Sequence, residues 1–233
     1  MRRMDDSFYE NVEIGWGSKV QSIRLPVGAR KLYPPDSSSD VGADFLIERA
    51  LRSPIGCEPL HKRLKRINRV CILIPDETRK DVFGPVWPHL QPLLTNKTVS
   101  IGIAAGKHAF KSPPPGIWRH NVEDTDLVHL GYTSRGTSVS YPRSVIEAAL
   151  RILIGEIRPH YFAGYAGGAK TIFPGVAGAD GIWSNHQLKA EAGARLGQVD
   201  SNPCRADMEE AAHFAGPTFI VNVIRGSHGG IVD

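Results

Sequence analysis

Val70-Cys71-Ile72-Leu73-Ile74-Pro75-Asp76-Glu77-Thr78-Arg79 is the stretch on which the fold turns. Its apolar residues run without alternation, a proline ends them, and a charged cluster follows at once. A strand solvated on one face alternates apolar and polar residues; a continuous run suits a parallel strand buried on both faces. The loop after it carries a carboxylate and a guanidinium three residues apart, Asp76 and Arg79. A local ion pair, a helix cap at Asp76 and contact with an anionic ligand are all open for that pair.

The same pattern recurs downstream. Val99–Ala104 is a second apolar run and leads into Gly106-Lys107-His108. Leu150–Ile154 is a third and leads into Gly155-Glu156-Ile157-Arg158-Pro159-His160, while Thr218–Ile224 reads as a fourth strand. Helical stretches are predicted between them at Val82–Leu94 (weakened by Pro85, Pro88 and Pro92), Ser144–Ala149, Gly178–Ala192 and Arg205–Ala215. Strands alternating with helices predict an α/β fold, a mainly parallel sheet flanked by helices in the Rossmann-like manner. Ligands in such sheets bind outside the carboxyl ends of the strands, where three of these runs place polar clusters. Upstream, Val12–Pro26 reads as two strands joined around Gly15-Trp16-Gly17. Lys31–Asp40 reads as a loop, with Asp40 capping a helix that runs to about Arg52.

A chain of 233 residues is enough for one sizeable domain, and the expectation is a single domain over 1–233. No stretch approaches the roughly 18 apolar residues of a membrane span. No apolar run follows Arg2-Arg3, so a secretory signal is not expected. Cys57, Cys71 and Cys204 are odd in number and far apart, which suits reduced thiols in the cytoplasm rather than a disulfide framework. The net charge is +4, and its one basic cluster, His61–Arg66, has no interleaved aromatics. A solvated helix face or turn is expected there, not a nucleic-acid surface.

The densest chemistry lies in His160-Tyr-Phe-Ala-Gly-Tyr-Ala-Gly-Gly-Ala-Lys170-Thr-Ile-Phe-Pro-Gly-Val-Ala-Gly178. Its glycines let backbone approach a ligand, and a glycine-rich turn opening into a helix offers N–H groups to an anion. Lys170 adds a cation, or an amine for covalent attachment. A degenerate P-loop is the competing reading, disfavoured because Ala169 stands where that motif needs glycine beside its lysine. His108 and His160 each follow a strand end, where a structural hydrogen bond and proton transfer near neutral pH are both open. His186, on the predicted Gly178–Ala192 helix, does not make a metal site by spacing alone. The remaining histidines, His120 among them, have no supporting pattern.

Taken together, Pro75-Asp76-Glu77-Thr78-Arg79, Gly106-Lys107-His108, the segment from Pro159 to Gly178, Asn185-His186, Asn202-Pro203 and Phe219–Val223 resemble the N-terminal domain of the lactate racemase family of nickel enzymes. The resemblance implies a racemase or epimerase of small 2-hydroxy acids. It implies a nickel-pincer nucleotide, a pyridinium-3,5-bisthiocarboxylic acid mononucleotide, linked through Lys170, with His186 as the protein ligand to nickel and Asp76 and Arg79 near the nucleotide. His108 and His160 match the acid/base pair on the two sides of the reacting carbon. The resemblance also implies a second, C-terminal domain as partner, on a longer product or a separate chain. Without it, a non-catalytic cofactor- or nucleotide-binding module is the alternative. In this sequence Ala109-Phe110 replaces the Arg-Pro that the family usually places after its first histidine, which bears on substrate choice.

Overall fold

The structure, a computed structural model, describes residues 6–16, 19–30, 41–108, 112–226 and 229–233. The expected turn residue Gly17, the Lys31–Asp40 loop with its cap Asp40, and His228 lie outside the described residues. By its internal contacts the chain falls into two compact units, residues 1–36 and 37–233. The first contains an antiparallel hairpin of β1 (Tyr9–Trp16) and β2 (Lys19–Pro26), as the sequence predicts.

The second unit begins with α1 (Ala43–Arg52) and the single turn α2 (Leu60–Arg63). Then follow β3 (Arg69–Pro75), α3 (Phe83–Leu90), β4 (Thr98–Ala104) and the short β5 (Ile117–Arg119). A hairpin of β6 (Leu127–Tyr132) and β7 (Ser138–Pro142) leads through α4 (Arg143–Ile146) to β8 (Leu150–Glu156). Two-residue strands β9 (Pro159–His160) and β10 (Gly164–Tyr165) pair with each other. The chain then forms α5 (Ala179–Gln187), α6 (Pro203–His213) and β11 (Thr218–Val223).

The central sheet has five strands in the order β11-β8-β3-β4-β5, and every pairing in it is parallel. The four apolar runs form its four long strands, with β11 at one edge, and helices flank it, so the predicted fold class stands. The prolines do not abolish the doubtful helix: α3 carries Pro88 internally and tightens into a 3-10 turn at Gln91–Leu94. The basic cluster is an exposed helical turn, as expected.

Alternate residues of β3 explain its unbroken hydrophobicity. Val70, Ile72 and Ile74 pack with Leu60, Val86 and Leu90 in one core, whereas Cys71 and Leu73 pack with Phe173, Ile182 and Met208 in another. Both faces are dry, so each fully buried Ile or Leu there contributes about 1.5–3 kcal/mol relative to exposure. The chain lays down β3, then β4 and β5 to one side, and returns to add β8 and β11 on the other. The order therefore reverses between β3 and β8. The crevice outside the carboxyl ends at that reversal is where this architecture leaves room for a ligand.

Candidate functional site

A cavity of about 350 Å3 lies at that switch point. Each of the six residues singled out in the sequence lines it: Asp76 and Arg79 after β3, His108 after β4, His160 after β8, Lys170 in the glycine loop and His186 on α5. Residues up to 110 positions apart in the chain thus share one space.

Asp76 settles the first open choice. It is buried, and its Oδ2 lies 2.6 Å from His108 Nδ1. Its Oδ1 accepts from the Thr78 N–H at 3.0 Å and from the Thr78 hydroxyl. Burial pushes the Asp76 carboxyl up, but the bonds from His108 and Thr78 outweigh it and hold the group below the usual range. An ionised Asp76 accepts, so His108 donates from Nδ1 and its neutral form carries the lone pair on Nε2. No helix begins at Asp76, so the capping reading falls away. The His108 side chain stays 49% exposed. Residues 109–111, which carry the departure from the family's Arg-Pro, lie outside the described residues.

His160 is held differently. Its Nδ1 accepts from the Ala163 N–H at 3.3 Å, leaving the neutral ring's proton on Nε2. Burial, and then the charges of Lys170 and Arg79, push its pKa down to about 4. His186 is likewise pushed down to about 4, by burial first and by Lys107 and Lys170 next. Burial and the nearby Arg205 and Arg79 lower Lys170 to about 8, which leaves roughly a tenth of it as free amine at pH 7. Burial and Arg158 also lower Arg79, although not out of its charged state.

Residues outside the sequence candidates build the frame. Phe162 is buried, with its ring 4.6 Å from that of His160, 5.1 Å from that of His186 and 5.6 Å from Lys170 Nζ. It fixes the spacing of three candidates from inside the loop already quoted for them. Asn202 caps α6 by accepting the Arg205 N–H, while its Nδ2 donates to the Phe162 carbonyl at 2.9 Å. That side chain ties the helix start to the site loop. Asn185, next to His186, donates to the Cys204 carbonyl and to Asp207, and Asp207 also accepts from Thr133 and Thr137. A buried, hydrogen-bonded network therefore anchors α5 where it carries His186.

The glycine loop corrects one expectation. It opens into a single 3-10 turn, Gly168–Thr171, and the long helix starts only at Ala179. The Gly168 N–H is already used by Asn222 Oδ1 at 3.0 Å. Gly167 adopts φ +77, and a Cβ there would stand 2.8 Å from the same oxygen. Close packing against the end of β11 accounts for that glycine. Glu156, Arg158 and Lys107 also line the cavity. Their position in the strand-end clusters was the available signal for them.

Comparison with known proteins agrees with the architecture. The chain matches the lactate racemase N-terminal domain family over residues 16–114 and 115–197. It is 28% identical to the lactate racemase of Thermoanaerobacterium thermosaccharolyticum, over 96% of this chain and 58% of that protein. It is 27% identical to the lactate racemase of Lactiplantibacillus plantarum, over 76% of this chain and 47% of that one. The solved lactate racemase apoprotein from T. thermosaccharolyticum superposes with a TM-score of 0.83 at 27% identity, covering 96% of this chain and 58% of its own. A Thermotoga maritima protein of 18% identity shares the fold, with a TM-score of 0.64 over 81% of this chain and 53% of its own. The chain spans about half the length of the curated relatives it matches. Four of the five strands of the parallel sheet, the glycine loop and the cavity lie in the matched region, and this chain belongs to the lactate racemase N-terminal domain family.

Proposed function

We propose that this chain is the cofactor-bearing part of a nickel-dependent racemase or epimerase of a small 2-hydroxy acid. The observation that carries the reading is the convergence of His108, His160, Lys170, His186, Asp76 and Arg79 on one cavity. The domain spans residues 1–233 in this reading and works with a C-terminal domain on the same or a separate chain. Its cysteines are all unpaired, which supports a reducing compartment such as the cytoplasm. No helix among the described residues is long and apolar enough to cross a membrane.

The donor set fits a nickel-pincer nucleotide. Burial first, and then nearby lysines, hold His186 at about 4, so it is neutral at pH 7, and it lines the cavity. Among the described residues no group of three or more His, Cys, Asp or Glu side chains is placed to hold an ion. A metal at His186 therefore needs donors that arrive with it, and the pincer's two sulfur arms are such donors. Lys170 has the lowered pKa that a covalent amine anchor requires. Arg79 and Arg158 supply cations for a phosphate, and the cavity volume falls within the range of small-molecule sites. When bound, the nucleotide supplies the acceptor and donor for the substrate's Cα hydride.

The protein's own groups manage the protons. His108, oriented by Asp76, presents the Nε2 lone pair and takes the hydroxyl proton of one enantiomer. A 2-keto acid, the product of losing that proton together with the Cα hydride, would be planar, so the scheme needs a proton-handling group for each face. His160 serves the mirror-image substrate. Its Nε2–H donates to the substrate oxygen, and it becomes the base when that proton shifts to Nδ1 and the long Ala163 bond is released.

Protein produced together with the cofactor-synthesis enzymes tests this. Expected are stoichiometric nickel, visible absorbance, and an intact-mass increment that Lys170→Ala loses; a fully active sample with unmodified Lys170 overturns the tether. A second reading rests on the chain's span of about half its relatives' length: a cofactor- or nucleotide-binding module that does not turn over substrate by itself. Interconversion of lactate enantiomers, assayed with and without a supplied C-terminal domain, separates the two.

A further inference from the structure

A second recess, of about 400 Å3, adjoins the first and shares Gly106, Lys107 and His108 with it. Arg119, His120 and Asn121 line it as well. Arg119 closes β5 and is largely buried, its side chain 13% exposed. Nη2 donates to Glu77, but Nε and Nη1 are buried and have no hydrogen-bond partner among the described residues. Burying a guanidinium with donors unmet is costly, and such donors fit a carboxylate. His120 is 3% exposed and donates from Nε2 to the Ala177 carbonyl at 2.8 Å. Its other nitrogen, Nδ1, is then a bare acceptor, buried and without a partner. Donors for an anion and an acceptor for a hydroxyl thus occur together, one residue apart, beside the imidazole of His108.

We propose that this recess is a carboxylate subsite, and that the molecule handled at His108 is a 2-hydroxy acid bearing a second carboxylate. In the reading above Arg79 and Arg158 take the nucleotide's phosphate and Lys170 its tether, so the cation left for the first carboxylate is Lys107, which lines both the main cavity and the recess. Arg119 is a separate cation for another, and it sets specificity rather than performing chemistry. The identity of the occupant as substrate rests on the function proposed above; the subsite itself does not.

NMR titration of the chain with lactate, malate and succinate distinguishes the two, because succinate keeps both carboxylates but lacks the hydroxyl. Malate is expected to bind about ten- to a hundredfold more tightly than lactate. Arg119→Gln is expected to erase that margin and leave lactate binding unchanged. Arg119→Lys keeps the charge and retains part of the margin, which guards against a folding defect in the Gln variant. Equal binding of malate and lactate, or a margin that survives in Arg119→Gln, overturns the subsite and leaves the hydroxy-acid reading standing. Succinate binding that needs Arg119 and matches that of malate supports the subsite and counts against the hydroxy-acid reading. No Arg119-dependent binding of any probe overturns the subsite outright.

Discussion

The carboxyl ends of β4 and β8 each offer one imidazole to the same cavity, and their surroundings are opposite. At the β4 end a buried carboxylate, Asp76, receives the Nδ1 proton of His108, and the ring is about half exposed. At the β8 end His160 has no carboxylate partner among the described residues. It packs on Phe162 and faces Lys170, Arg79 and Arg158, which together with burial keep it neutral. One residue type at two equivalent strand ends thus acquires two hydrogen-bonding states. The neutral His108 ring carries its lone pair on Nε2, and the neutral His160 ring carries its proton there. The difference comes from the elements packed around each strand, not from the strands themselves.

Deleting either imidazole is the largest test. In cofactor-loaded protein supplied with the C-terminal domain, His108→Ala and His160→Ala are each expected to lower racemisation by about 10²–10⁴-fold without loss of the folded state by circular dichroism. Near-normal turnover in either variant breaks the two-sided scheme. A smaller effect isolates the β4 end. Asp76→Asn keeps the shape but no longer fixes the His108 tautomer, and a loss of roughly 10- to 100-fold is expected. An equal loss when Asn replaces Asp76 in a His108→Ala background would show that Asp76 acts by another route.

The smallest effect reads the β8 end through stability. His160 and His186 have folded pKa values of about 4, below the reference value of 6.5. A depressed folded value means that the stabilisation is whole above about 6.5 and is lost as pH falls toward 4. Denaturant unfolding between those limits is expected to show a loss of roughly 1–3 kcal/mol for the pair. His160→Gln is expected to flatten the slope, whereas His108→Gln leaves this component of it in place. An NMR titration in which His160 protonates near 6.5 would remove the contrast between the two ends.

Much of the fold was legible because burial on both faces demands a local signal. Four predominantly apolar runs became β3, β4, β8 and β11 with ends shifted by a residue or two. Helix α6 begins at Pro203, two residues before the expected Arg205, because Asn202 caps it and a proline fits its first turn. What escaped lacks such signals. Strand β5 is three partly buried residues at a sheet edge, and the β6–β7 hairpin alternates too weakly to stand out. Phe162 looks like any core aromatic until its ring is seen between His160, His186 and Lys170. His120 and Arg119 carry no pattern at all, and only their unmet polar atoms mark them.

The sequence by itself determined the four long strands of the sheet, the strand-end positions of Asp76, His108 and His160, and the family, because these depend on residues close together in the chain. Tertiary structure decided strand order, and with it the pairing of Asp76 with His108 across 32 residues, the protonation of His160, and the recess at Arg119. Charge and hydrogen bonding act through space over a few ångströms, and only the packed sheet brings distant segments that close.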